Sequence, residues 1–389
     1  MAFTLKPAEG KDFIDRKEII AEMLNTLSDK ESQMGFALYG KRRVGKTSIL
    51  KEMERLLKDK EDVVVIYFSL FELAPKTVGN FVKKFSTEVL TAYKQRLPLR
   101  YRVKDLMMSP LAVIREHIKE MKISMKLGED IEFLLTFDEE KARDYGELIK
   151  RAFELPERLA DETKTKCVLL MDEFPLIIDL KNGSRIGADI VGVIRTIHEE
   201  QKNTVLCISG SIRKTMEAVV LSSVSPFYRQ FVLKEIKPLK KEYVRELLKK
   251  NIDKDITEEG IDRMYEITEG FPFYIQLFGK KINSVNKSMI ELKDIEFAVK
   301  NTLEEEGNLI FIEEFNSLSP NEQKIIISIA CNKHSPKEIS DASGMNASAA
   351  STYLLSLQEK GVVSKDAHAV YSIDDPVFGK WISMKYELM

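Results

Sequence analysis

Five apolar runs set the pattern of the first part of the chain: 36–40 (FALYG), 63–70 (VVVIYFSL), 167–174 (CVLLMDEF), 204–211 (TVLCISGS) and 231–236 (FVLKEI). Each is largely continuous rather than alternating. That is the pattern of a strand covered on both faces, so the runs predict a five-stranded parallel α/β sheet with helices between the strands. The connection between the second and third runs is long. It holds helical spacing near 77–95 and 110–121, then ISMKLGEDIEFLL, where Ile123, Met125 and Leu127 and, after Gly-Glu-Asp, Ile131, Phe133 and Leu135 recur at every second position. This alternation around Gly-Glu-Asp predicts a hairpin, and the segment from about 96 to 160 reads as an insertion on a core spanning 1–238. After Pro238 the spacing becomes helical throughout, predicting a small helical subdomain over 239–307. From Leu318 onward, two helices opened by Ser-Pro and a third ending at Gly361 precede two short strands around a tip. Three helices and a two-stranded wing make a winged helix-turn-helix plan over 318–389.

Composition narrows the class. With 389 residues, 44% hydrophobic and 31% charged, the chain suits two or three globular domains. Its 60 basic and 62 acidic residues leave a formal charge of −2, so no chain-wide attraction to nucleic acid is expected, and any such binding needs a local basic patch. No apolar run approaches a membrane span, and MAFTLKPAEGKDF lacks a signal-peptide pattern; the expected location is cytoplasmic, with no membrane partner. Cys167, Cys207 and Cys331 are far apart and lack metal spacing, as expected of a protein in a reducing cytosol.

The strongest chemical signal is LYGKRRVGKTSIL, 38–50. A buried strand ends at Gly40, a loop of Lys41, Arg42, Arg43 and Val44 follows, and Gly45, Lys46, Thr47 and Ser48 open a helix. Glycines there let backbone N–H groups wrap a phosphate, and the helix dipole favours its charge. Lys46 is placed to reach the β- and γ-phosphates, and the Thr47 hydroxyl to ligate Mg²⁺. The side chains of Lys41, Arg42 and Arg43 either add to phosphate attraction or stay solvated. The second signal is VLLMDEFP, 168–175, which carries Asp172 to the end of a buried strand, where open α/β sheets bind ligands. Asp172 is the candidate to hold Mg²⁺, directly or through water, and Glu173 the candidate to polarise the attacking water. The next strand ends CISGS, so Ser209 or Ser211 is a candidate to meet the water or γ-phosphate from the side; the alternative is a helix cap. Arg229 in SPFYRQ is a candidate to stabilise charge developing on a γ-phosphate. Pro272 in EGFPF is a helix starter or an apolar contact for the base. Phe13 and Ile14 either flank the base or pack the core.

Taken together, these residues resemble the archaeal ATPase family of the AAA+/STAND branch of P-loop NTPases, over nearly the whole chain. The motifs that carry the likeness are FIDRKEI, YGKRRVGKT, LLMDEFP, CISGS, SPFYRQ, EGFPFYI and YSIDDPVFGKW. The resemblance implies ATP and Mg²⁺ as cofactors, ATP hydrolysis as the activity and a helical lid over the nucleotide. It puts Arg229 at the arginine-finger position, in cis or in trans, and Pro272 in place of the second sensor. The chain departs from the family pattern in three respects. Asp15 stands where glycine is usual, no glycine precedes Arg229, and no lid arginine matches a second sensor.

Three functions follow as expectations. One is an ATPase switch coupling nucleotide state to the winged helix. Another is an ATP-regulated DNA-binding protein of replication, recombination or mobile-element maintenance. The third is a nucleotide-bound signalling scaffold. Candidate partners are duplex DNA through the winged helix, a protein, or further copies of the chain. The tail weighs against DNA: residues 318–389 carry seven lysines, no arginine and eight acidic residues, a net charge of −1. The helix that would enter a groove offers Asn346, Ser348, Ser351 and Thr352.

Overall fold

The computed structural model describes residues 3, 5–97, 111–121, 123–137, 144–187, 189–211, 216, 220, 227 and 229–386. Five parallel strands form the central sheet: β1 (Gly35–Tyr39), β2 (Val63–Ser69), β3 (Lys166–Asp172), β4 (Thr204–Gly210) and β5 (Phe231–Glu235), in the order β2-β3-β4-β1-β5. Each falls within a residue or two of its apolar run. Ser69 pairs with Asp172, and Tyr39 with both Gly210 and Glu235, so the functional ends of the strands share one edge. β1 lies between β4 and β5 while its successor β2 lies at the far edge. The chain therefore reverses direction across the sheet beside the β1–β4 boundary, the position at which open α/β sheets bind ligands.

Each sheet face is covered. On one side α1 (Lys17–Ser28) and α2 (Lys46–Lys58) pack into a core continuous with the C-terminal helices. On the other side lies a second core, built with α3 (Val78–Ala92), α4 (Leu111–Glu120), α5 (Met125–Thr136), α6 (Tyr145–Thr163) and α7 (Asp189–Glu200). The hairpin expected at 123–135 is absent: this stretch is the helix α5. Leu127, Ile131, Leu134 and Leu135 fall on one helical face and are buried, whereas Met125, part of the alternating reading, is 81% exposed. Gly128 serves close helix packing rather than a turn, since a Cβ there would lie 2.8 Å from Ile118 Cγ2. Other parts of the expected insertion, 98–110 and 138–143, lie outside the described residues.

Beyond the sheet come α8 (Lys241–Asn251), α9 (Glu258–Thr268), α10 (Pro272–Asn283) and α11 (Leu292–Glu305). A two-residue parallel pairing of Asp255–Ile256 with Met289–Ile290 interrupts what the sequence reads as purely helical. α12 (Gly307–Asn316) leads to α13 (Pro320–Ala330), α14 (Pro336–Ser343) and α15 (Ala347–Glu359). Ser319 and Ser335 form capping boxes with Glu322 and Glu338, and Asn346 caps α15. The wing is the antiparallel pair β6 (Val363–Lys365) and β7 (Tyr371–Ile373). A final helix, α16 (Pro376–Tyr386), follows it. Phe378, Trp381 and Ile382 are buried, with Phe378 stacked 5.3 Å from Phe311 of α12. A Cβ on Gly307 would lie 2.5 Å from Trp381 Cδ1, so glycine permits this contact.

Candidate nucleotide site

The loop between β1 and α2 has the backbone that its glycines require. Gly40 has φ +150°, and a Cβ there would lie 2.3 Å from the Ile236 carbonyl oxygen. Gly45 has φ +95° and is the N-cap of α2, with no side-chain acceptor at the cap. The first-turn N–H groups and the helix dipole thus face the loop, as an anion site needs. Lys46 is buried, and its Nζ donates to the carbonyls of Gly40 (2.9 Å) and Lys41 (2.8 Å). Burial pulls its pKa down to about 8, against the opposing pull of Glu173 and Asp172. A lysine so desolvated gains by meeting phosphate oxygens.

Asp172 ends β3, buried. Its Oδ2 accepts from Thr47 Oγ1 (2.8 Å) and Tyr67 OH (3.0 Å). Its Oδ1 accepts from the Ser209 hydroxyl and from the Glu173 N–H (3.2 Å). Thr47 donates its hydroxyl hydrogen to the carboxylate, which leaves its oxygen lone pairs for a cation. A hydroxyl and a carboxylate are the hard oxygen donors that suit Mg²⁺, so Thr47 and Asp172 fit the metal expected of them. Glu173 follows in a left-handed conformation, φ +49°. Its Oε2 accepts from the Ser211 N–H (3.2 Å) and hydroxyl (3.0 Å).

Two expectations change here. Ser209 does not face the reacting groups: it is fully buried and its hydroxyl is spent on Asp172, so it orients that carboxylate. Ser211 takes the place beside Glu173. The side chains of Lys41, Arg42 and Arg43, of which Lys41 and Arg42 are exposed, also meet acidic partners. Lys41 Nζ lies 3.0 Å from Asp374 Oδ1, and Arg42 lies 3.8 Å from Glu314. Arg43 pairs with Asp375 and donates to Tyr274 OH (2.9 Å), with its guanidinium 5.3 Å from the Phe311 ring centre. The acidic partners Asp374, Glu314 and Asp375 belong to the C-terminal part of the chain, which no local sequence signal ties to this loop.

The remaining candidates divide. Pro272 opens α10, and its Cγ lies 4.0 Å from where a Gly45 Cβ would sit, so the start of that helix overlies the loop. The close approach rests on Gly270, φ +77°, where a Cβ would lie 2.0 Å from the Leu239 carbonyl oxygen. Ile14 is buried and Phe13 partly buried in the core shared with α2, and the Ser48 hydroxyl accepts from the Ala8 N–H (3.1 Å). Val44 is buried in that core as well. Arg229 is exposed at the entrance to the edge strand β5; Ser225, Pro226 and Tyr228 of its motif lie outside the described residues.

The sequence reading missed Arg16 and Tyr67. Arg16 Nη2 donates to the Val44 carbonyl (2.6 Å) and to the Lys237 carbonyl (2.9 Å), tying the loop to the start of the helical subdomain. Burial pulls it down to about 10, so it remains a cation at neutral pH. Its signal was present in FIDR. Asp15, at the position where glycine is usual, has φ +69°, a conformation that aspartate tolerates better than most residues. Tyr67 had no signal beyond its place in a strand.

Comparison with known proteins agrees with this geometry. A solved structure of the Walker-type ATPase PABY2304 of Pyrococcus abyssi superposes with a TM-score of 0.70 at 20% identity, over 98% of this chain and 99% of that one. The Aeropyrum pernix ORC2 protein, solved with ADPNP and ADP, superposes with a TM-score of 0.55 at 14% identity, over 97% and 98%. Both likenesses are of fold. Uncharacterised protein MJECL04 of Methanocaldococcus jannaschii is 23% identical over 371 residues, covering 93% of this chain; the chain spans 64% of that relative's length. The model of an ATPase domain predominantly from Archaea matches residues 13–278. The chain belongs to this archaeal-type ATPase family and has a P-loop α/β core.

Proposed function

We propose that this ATPase is a Mg²⁺-dependent switch in which the nucleotide state of the P-loop sets the position of the C-terminal winged helix. One observation carries the reading: Arg43 of the loop is held by Asp375, which opens the last helix, and by Tyr274 of the helix that overlies the loop. Burial works against the Arg43 charge, but Tyr274, Asp375 and Glu314 outweigh it and raise its pKa. Asp375 is committed twice, because its other oxygen caps α16 at the N–H groups of Val377 (3.1 Å) and Phe378 (3.0 Å). The phosphates of ATP compete for the loop. To reach them Lys46 must leave the carbonyls of Gly40 and Lys41, and the segment it releases carries Lys41, Arg42 and Arg43. Binding and docking of the winged helix therefore draw on the same few residues.

In this reading Lys46 neutralises phosphate charge, Thr47 and Asp172 hold Mg²⁺, and Glu173 orients water once Ser211 releases it. Arg229, exposed just before the edge strand β5, suits the supply of a guanidinium to the site of a neighbouring copy. Amide hydrogen exchange over 363–386 tests the coupling in the Glu173→Gln protein. The expected result is exchange several-fold faster with Mg-ATP than without, and in Arg43→Ala faster even without nucleotide. Identical exchange in all three states would overturn the coupling.

A further inference from the structure

We propose that Tyr67 is a positioning residue for the metal: it fixes the carboxylate of Asp172 so that Thr47 presents its oxygen to Mg²⁺. The inference rests on the assignment of Thr47 and Asp172 to the metal.

β3 lies between β2 and β4, and each neighbour sends one hydroxyl to Asp172. Ser209 of β4 donates to Oδ1, and Tyr67 of β2 donates to Oδ2 at 3.0 Å. An ionised carboxylate only accepts, so Tyr67 must be the donor. A phenol keeps its proton at neutral pH. The same Oδ2 accepts the Thr47 hydroxyl at 2.8 Å. The direction of the Thr47 proton, and hence of its lone pairs, follows from where Oδ2 is held.

Ser209 and the Glu173 amide hold Oδ1, while Oδ2 meets Thr47, whose own hydroxyl is the group to be oriented, and Tyr67. Tyr67 is thus the donor that fixes Oδ2 independently of Thr47. Its ring is itself fixed, because Lys51, one turn beyond Thr47 on α2, sets its Nζ 3.3 Å from the ring centre while paired with Glu54 at 2.8 Å. Groups that orient metal ligands in this way typically contribute about tenfold or more to metal affinity.

The test is Tyr67→Phe in the full chain, which keeps the ring beneath Lys51 and removes only the hydroxyl. ADP affinity is measured by calorimetry in EDTA and then across a Mg²⁺ titration, with Mn²⁺ binding to the ADP complex followed by electron paramagnetic resonance. The expected result is metal-free ADP affinity within about twofold of the parent and half-saturating Mg²⁺ raised about tenfold. In an Asp172→Asn background the same change is expected to add nothing, since Tyr67 acts through that carboxylate. Three results would overturn the proposal: an unchanged Mg²⁺ requirement, an equal loss of metal-free ADP affinity, or a shift that persists beside Asp172→Asn. Failure of the metal assignment is separable, because Asp172→Asn alone would then leave the Mg²⁺ dependence where it was.

Discussion

In the proposed mechanism Glu173 and Asp172 are adjacent carboxylates with different tasks, and the difference comes from their hydrogen-bond partners. Asp172 receives four donors from four parts of the core and cannot turn. Among the described residues the Glu173 carboxylate accepts only from Ser211, at the rim of the sheet. A group that must orient water needs that freedom, whereas a group that orients a metal ligand does not. Glu173→Gln is therefore expected to bind ATP within about twofold of the parent while its turnover falls at least about a hundredfold, the usual contribution of a general base. Single-turnover hydrolysis set beside equilibrium nucleotide binding checks this, and unchanged turnover would remove Glu173 from the mechanism. Much of this constellation was legible in the chain, because a P-loop and an acidic strand end are local patterns with local causes. The contacts of Tyr67 and Ser209 with Asp172 were not legible. Their effect arises from strand order, which brings β2 and β4 to either side of Asp172 although they lie far apart in sequence.

At the level of elements, periodicity succeeded where one environment governed a whole segment. Four of the sheet strands are buried on both faces and read as continuous apolar runs, while the edge strand β5 is only partly covered; the capped helices of the C-terminal unit announce themselves through Ser-Pro and acidic first turns. It failed at 123–135, where alternation over so few residues fits a helix face as well as a strand. The C-terminal unit also carries a charge whose cost is met by its neighbours. Glu322 of α13 is buried, which alone would raise its pKa. Hydrogen bonds from Lys360 Nζ (2.7 Å), the Ser319 N–H (2.8 Å) and Ser356 Oγ (2.7 Å) outweigh burial and hold it down to about 2. A carboxylate lowered in the folded state stabilises above its ordinary value of 4.5, and that contribution is lost as pH falls from there towards 2. Glu322→Gln is expected to cost roughly 2 kcal/mol at pH 7, with the deficit against the parent shrinking through this window. Denaturant unfolding at a series of pH values reads it out. A deficit independent of pH would mean that Glu322 matters for its shape rather than its charge.

For the whole molecule, the question is what the C-terminal unit would do if the proposed switch released it. Its plan suits duplex DNA, but recognition of DNA draws most of its affinity from cations on phosphates. The C-terminal unit lacks them: residues 318–389 carry seven lysines against eight acidic residues. Of the seven, Lys360 is committed to Glu322. On α15 the exposed positions include Ser348, Ser351, Thr352 and Leu355, with no arginine to read guanine edges. The cations that stand closest to this unit, Lys41, Arg42 and Arg43, belong to the P-loop and are occupied by Asp374, Glu314 and Asp375. Releasing the winged helix would uncover acidic groups, which repel a phosphate backbone. Duplex DNA is therefore expected not to bind Glu173→Gln protein loaded with Mg-ATP at physiological salt, while hydrogen exchange in the wing still responds to nucleotide. A salt series of binding measurements decides it. Affinity that falls steeply with salt and depends on Mg-ATP would show that the basic surface lies elsewhere on the chain and that the switch gates access to DNA. Absence of binding at low salt, with the exchange response intact, would direct the released surface to a protein with cations to match Asp374 and Asp375.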